Sequence, residues 1–219
     1  MLIRSLAVAL AGTLTLACGP AAAFTTIRDA EIEQTLKRIA WPLFRAAAVN
    51  PATVDIYIVQ DPQPNAFVAG RQDIFVNTGL MMELDTLDEL RAVIAHELGH
   101  ITAGHLVRRD EAADGAKGIA AIGMLGAAAA AVAGVPQASM ALAVGAGQAA
   151  SRSMLSHSRS DEASADQAGL AYLAAAGGDP AAMMSVLQHF RRQEMLTAVM
   201  EDNSHAMSHP LWGERMAMI

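Results

Sequence analysis

A chain of 219 residues, 53% hydrophobic and 17% charged, is long enough for one domain with a real core and too apolar for intrinsic disorder. Its formal net charge of −7, with 15 Lys and Arg scattered along the chain, offers no basic stripe for phosphates. Nucleic acid is thereby excluded as the expected partner.

The N-terminus reads as an export signal: Arg4 is a short positive region, Ser5 to Ala17 an apolar one, and Ala21-Ala22-Ala23 an A-x-A cleavage site. Residues 1–23 are expected to be removed, leaving 24–219 as one domain in the periplasm. The single cysteine, Cys18, would leave with the leader, so the mature chain forms no disulfide. Leu16-Ala17-Cys18 also makes a partial lipobox, with Thr15 where an aliphatic residue is usual. On that reading Cys18 becomes a lipid-modified first residue.

Asp29 to Ala48 has apolar residues at helical spacing (Ile32, Leu36, Ile39, Leu43) and a kink at Pro42. Val54 to Val59 alternates, is β-branched and is closed by Asp61-Pro-Gln-Pro64; Ile74 to Val76 is a second strand. The stretch 65–70 between them is an irregular or edge segment, so a small sheet is predicted. Thr86-Leu-Asp-Glu89 is a capping box that starts a helix running to about Arg109. Gly118 to Ser151 carries no charge and breaks at Gly134-Val-Pro136 into two apolar helices. Ser160 to Ala176 predicts another helix, ended by Gly177-Gly178, and Asp179-Pro180 starts the next. The fold class is α+β, mostly α.

On the capped helix, His96-Glu-Leu-Gly-His100 places two imidazoles about 40° apart and one turn apart in height, able to converge on one ion. Glu97 projects beside them, where a carboxylate can hold and deprotonate water. His105 falls on the opposite side of a continuous helix and is not expected to be a ligand; its spacing misses the H-E-x-x-H-x-x-G-x-x-H form. H-E-x-x-H alone also fits a histidine pair on a polar helix surface, and Gly99 within it has no evident packing purpose. Glu162-Ala-Ser-Ala-Asp166 decides the matter, because it sets two carboxylates on one face of a later helix. Catalytic zinc takes three protein ligands and keeps one position open, and His₂Glu is an established set. His96, His100 and Glu162 are therefore the expected ligands of one Zn²⁺, and Asp166 the acceptor for the free ring N–H of a ligating histidine.

Several ordered motifs carry a resemblance to the gluzincin zinc metallopeptidases that include HtpX, the CAAX prenyl protease and periplasmic BepA-like enzymes. They are His96-Glu-Leu-Gly-His100, Ser158-Arg-Ser-Asp-Glu-Ala-Ser-Ala-Asp166 with Gly169, and Asn65-Ala-Phe-Val-Ala-Gly followed by Ile74-Phe-Val-Asn-Thr-Gly-Leu80. The resemblance spans roughly residues 27 to 216 and implies a zincin-like fold with His96, His100 and Glu162 as ligands and Glu97 as catalytic base. Ser208-His-Pro-Leu-Trp-Gly-Glu-Arg215 resembles the family's H-P-x-x-x-x-R segment. That likeness implies that His209 can take a fourth zinc position and hold the enzyme latent; a histidine preceding a helix-starting proline is the plain alternative. Arg215 would hold the oxyanion or anchor the acidic ligand helix, the former being preferred. The BepA-like relatives continue into a tetratricopeptide tail, and nothing that tail does is carried over.

The expected activity is zinc-dependent endopeptidase cleavage of unfolded or misassembled envelope proteins, with 65–77 offering an edge to an extended polypeptide. A proteolytically silent zinc-containing holdase or scaffold is the rival reading. The first apolar run, Gly118 to Val135, is eighteen residues, mostly Ala and Gly, and would insert weakly into a bilayer. Two Ala-rich helices over the active-site cleft, or in peripheral contact with a membrane, are expected instead. His157, His189 and His205 are left to solvated or structural roles, and Met183, Met184 and Met195 to packing.

Overall fold

The computed structural model describes residues 25–197, 209 and 212–219; the expected leader, with Cys18, lies outside them. The order is β1 (Thr26–Ile27), α1 (Ala30–Ala46), β2 (Ile56–Val59), β3 (Ala66–Ala69), β4 (Asp73–Asn77), α2 (Thr78–Glu83), α3 (Leu87–Thr102), α4 (His105–Val132), α5 (Pro136–Ala175), α6 (Ala181–Thr197) and α7 (Trp212–Met216). The class is α+β, mostly α, with the small sheet that the sequence predicts.

Asp29 caps α1 by accepting from the amides of Glu31 and Ile32, and the helix runs through Pro42 while burying Leu36, Ala40, Leu43 and Phe44. The sheet order is β1-β2-β4-β3, with β2 and β4 parallel and the other pairs antiparallel. Segment 65–70 therefore contains an edge strand, β3. One sheet face buries Ile56, Ile58, Ala66, Ile74 and Val76 in the core shared with α1 and α3. On the other, Phe75 stacks between Tyr57 and Phe67 at 5.4 and 5.2 Å, cross-strand contacts that hold the register.

The capping box is present: Thr86 accepts from the amide of Glu89, whose carboxylate accepts from the amide of Thr86. The helix it starts does not reach Arg109. It ends at Thr102, and Gly104, at φ +67°, turns the chain before α4 begins. A side chain resists that left-handed backbone and glycine does not. The predicted helix at Ser160 to Ala176 is likewise the second half of a 40-residue α5. Between Gly147 and Gly169 it contains no Gly or Pro, and polar residues at 151–161 suit a helix facing water.

Glycines set the distance between α3 and α5. A methyl group on Gly99 would lie 2.6 Å from the carbonyl oxygen of Ala165, and one on Gly169 3.1 Å from the amide nitrogen of His96. The Gly99 inside the motif thus has a packing purpose: it lets the helix bearing the histidines press against the backbone of the helix bearing Glu162. Met183 and Leu187 of α6 seal the far side, each about 1% exposed, whereas Met195 is 63% exposed.

Candidate metal centre

Two elements carry the donors. His96, Glu97 and His100 face inward from α3, and Glu162 and Asp166 meet them from α5; all but His100 are buried. The Nε2 atoms of His96 and His100 lie 3.0 Å apart, and the Glu162 carboxylate lies 3.4 Å from the first and 3.5 Å from the second. His209 completes the group, its Nδ1 3.0 Å from Glu162 Oε1 and 3.4 Å from His96 Nε2. Atoms from these four residues all fall within 4.8 Å of one another.

The donor set fits zinc. Bonds of about 2.0–2.1 Å in a tetrahedron put neighbouring ligand atoms about 3.3 Å apart, which matches the observed spread of 3.0 to 3.5 Å. Imidazole and carboxylate are donors zinc accepts, and both histidines turn their remaining nitrogen to a partner. His96 Nδ1 lies 2.9 Å from Asp166 Oδ1, an acceptor that fixes Nδ1–H and leaves the Nε2 lone pair pointing at the centre. Glu97 points in from the side: Oε1 is 3.4 Å from His209 Nε2, and Oε2 has no hydrogen-bond partner among the described residues. A buried carboxylate oxygen without a donor is costly, and a water or substrate proton would satisfy it.

Arg215 of α7 sits behind the donors at 2% exposure. Its Nε and Nη2 donate to the two oxygens of Asp166 at 2.8 and 2.6 Å, and Nη1 lies 2.9 Å from Glu162 Oε2. The fork grips both carboxylates of α5. Burial raises the carboxyl of Asp166, but hydrogen bonds from Arg215 and His96 overcome it and lower its pKa. Glu162 is held well below the usual carboxylate range, since His209 and His96 outweigh its burial. Burial and Arg215 push His96 down, yet Asp166 and Glu162 outweigh both and raise it to about 9. His100 goes the other way, driven well below its ordinary value by burial and by His96 and His209.

The placement of His105 departs from the sequence reading. Because α3 stops at Thr102, His105 is not on the far side of a continuous helix; it starts α4, 3% exposed, with Nδ1 2.8 Å from His100 Nδ1. Its Nε2 lies 2.9 Å from Ser164 Oγ and 3.4 Å from Asp161 Oδ1. It stays outside the converging group but orients a member of it, as Asp166 does for His96. The Ala103-Gly104 pair, a helix-stop signal, was the available clue.

A cavity of about 260 Å³ opens over the donors, lined by Phe67 and Val68 of β3, Glu97, His100 and Glu162 at its floor, and Leu106, Met154 and Leu155 of α4 and α5. The charge-free stretch 118–151 does not line it. His157 lies at the rim, His189 faces Asp85 and Glu89 at 3.7 and 3.8 Å, and His205 lies outside the described residues.

The model of peptidase family M48 matches residues 26–219. The chain belongs to that family. As an M48 member it is a metalloprotease, a hydrolase of the class that the motifs imply. It is 31% identical over 161 residues to the beta-barrel assembly-enhancing protease of Yersinia pestis, covering 74% of this chain and 32% of that protein. Identity to the Escherichia coli (strain K12) beta-barrel assembly-enhancing protease is 27% over 191 residues, 87% of this chain and 39% of that one. A Protease HtpX homolog of Ralstonia pickettii is 30% identical over 172 residues, 74% of this chain and 57% of that one. The M48 chain thus spans between about a third and three fifths of the length of these relatives.

Proposed function

We propose that this M48 chain is a zinc-dependent endopeptidase that cleaves extended or unfolded polypeptides in the cell envelope, as part of protein quality control in the periplasm. The observation that carries the reading is the meeting of His96, His100 and Glu162 with Glu97 at the floor of a cleft bounded by a sheet edge. The relatives' names, which speak of assembling β-barrels, support an envelope role.

His96, His100 and Glu162 would hold the ion, which when bound acts as a Lewis acid toward the scissile carbonyl. Glu97 takes a proton from the attacking water on Oε2 and delivers it to the leaving amine. Asp166 holds the His96 ring in place. Arg215 has its three nitrogens turned to Asp166 and Glu162, and those contacts favour its role as anchor of the acidic helix over oxyanion binding. The outer edge of β3 offers backbone groups to an extended substrate, and such pairing tolerates many sequences.

His209 stands in the way of that substrate. Its Nε2 donates to the carbonyl of Ala66 at 3.1 Å, the first acceptor of β3, while Nδ1 faces the donor group. One ring thus fills both the fourth metal position and an edge-strand acceptor, which supports self-inhibition by His209. The same four-donor set also suits a closed structural zinc and hence a silent holdase. Incubating the purified chain with casein separates the two. Cleavage that stops with a chelator and returns with Zn²⁺ supports the peptidase; zinc-loaded protein that protects casein from aggregation without cutting it supports the holdase.

A further inference from the structure

The hairpin of α4 and α5 is built inside out for water. Where the two helices touch, the residues of α4 are small: Gly123 packs directly on Ala146, Gly126 leaves room for the half-exposed Leu142 of α5, and Ala127 is 6% exposed. The large apolar side chains point away. Ile122, Met124, Leu125, Val132, Met140 and Val144 are between 54% and 92% exposed. A water-soluble helix pair buries such residues in its seam; small residues at the seam with large ones outside is how helices pair in lipid. From Gly118 to Ser151 there is no charged residue, and the only polar side chains are Gln137, Ser139, Gln148 and Ser151.

The turn suits the same solvent. The amides of Ala133, Gly134 and Val135 donate back to Ala129, Ala131 and Ala130 at 2.9, 3.1 and 2.9 Å, and the next residue, Pro136, has no N–H. Hydrocarbon tolerates a turn only where its polar groups are bonded within the protein. The antiparallel register that sets Gly123 on Ala146 brings Lys117 level with Arg152, so a cation closes the charge-free run on each arm at the same height. Cations there suit anionic headgroups. The charge-free part of α4, Gly118 to Val132, is about 22 Å long at 1.5 Å per residue, short of the roughly 30 Å of a hydrocarbon core.

We propose that this hairpin dips its charge-free end into a lipid bilayer from one side, turning within the hydrocarbon, with Lys117 and Arg152 at headgroup level. The cleft, lined by Leu106, Met154 and Leu155 at the root of the same hairpin, then opens close to the membrane surface. On the peptidase reading above, its substrates are extended segments emerging from that surface.

An environment-sensitive fluorophore tests the insertion. It is attached in a Cys18→Ser background at Leu125→Cys, with Ile32→Cys on α1 as the control, and vesicles of phosphatidylethanolamine and phosphatidylglycerol are added. Emission at 125 is expected to shift to shorter wavelength and be quenched by lipids labelled deep in their chains, while emission at 32 stays unchanged. Adding Ile122→Lys and Met140→Lys should abolish both effects. Vesicle binding by the leader alone would leave the probe at 125 in water, and that result overturns the proposal. A shift that appears without vesicles together with a doubled mass overturns it in favour of a second copy of the chain. None of these readouts uses cleavage, so the insertion and the peptidase reading fail separately.

Discussion

His105 Nδ1 lies 2.8 Å from His100 Nδ1, although the two residues belong to different helices separated by a left-handed glycine. His105 in turn touches Asp161 and Ser164 of α5, one residue before and two residues after Glu162. The contact holds the His100 ring so that Nε2 faces the centre. Replacing His105 by Ala is expected to weaken zinc binding about 10- to 100-fold, the usual cost of losing a partner behind a ligating histidine. Competition with a chromophoric chelator measures it, and unchanged affinity would count against a positioning role.

His209 makes the opposite prediction. Its Nε2 donates to Ala66 O at 3.1 Å while its Nδ1 lies 3.0 Å from Glu162 Oε1, and on the proposed reading the ring restrains the site. His209→Ala should retain the ion on its three remaining ligands and cleave casein faster than the parent. A slower variant would show that His209 serves turnover instead of restraining it.

Gly99→Ala tests the seam between α3 and α5. The added methyl meets the Ala165 backbone at 2.6 Å, and backbone cannot move aside as a flexible side chain can. Such overpacking costs about 1–3 kcal/mol, and the shift should fall on Glu162, three residues away. Loss of zinc affinity alongside a lower Tm is expected; gain of stability from the better helix propensity of alanine would contradict the close approach.

The raised pKa of His96 sets a pH dependence for the metal-free chain. Its folded value of about 9 exceeds the unfolded value of 6.5, so its contribution to stability is complete below pH 6.5 and lost as pH rises through 9. The ion requires the neutral ring, so zinc affinity should rise with pH over that same window. Thermal melts of chelated and zinc-loaded protein between pH 6 and 9.5 check this: the chelated Tm is expected to fall and the gap between the two to widen.

Much of the donor set was legible because its chemistry depends on residue type and helical spacing. H-E-x-x-H and E-x-x-x-D each place their groups on one helix face, whatever surrounds them. The capping box at Thr86 was also readable from local sequence, whereas 65–70 read only as an irregular or edge segment and its strand β3 was not distinguished. The break at Gly104 was overlooked because the apolar periodicity of α3 runs on into α4, and that hid His105. Gly99 looked wasteful until its partner backbone was known, since close approach between helices leaves no mark in one helix's own sequence. Likewise the joining of 136–175 into one helix turns on the absence of a breaker, a weaker signal than its presence.

Zinc content and casein cleavage measured side by side in the parent and in Glu97→Gln test the central claim most directly. The amide keeps the shape of the side chain but cannot take a proton from water. The variant is predicted to hold one zinc per chain and to lose cleavage by at least about 10²-fold, the scale of general-base catalysis. Cleavage that continues at the parental rate with zinc in place would contradict the account.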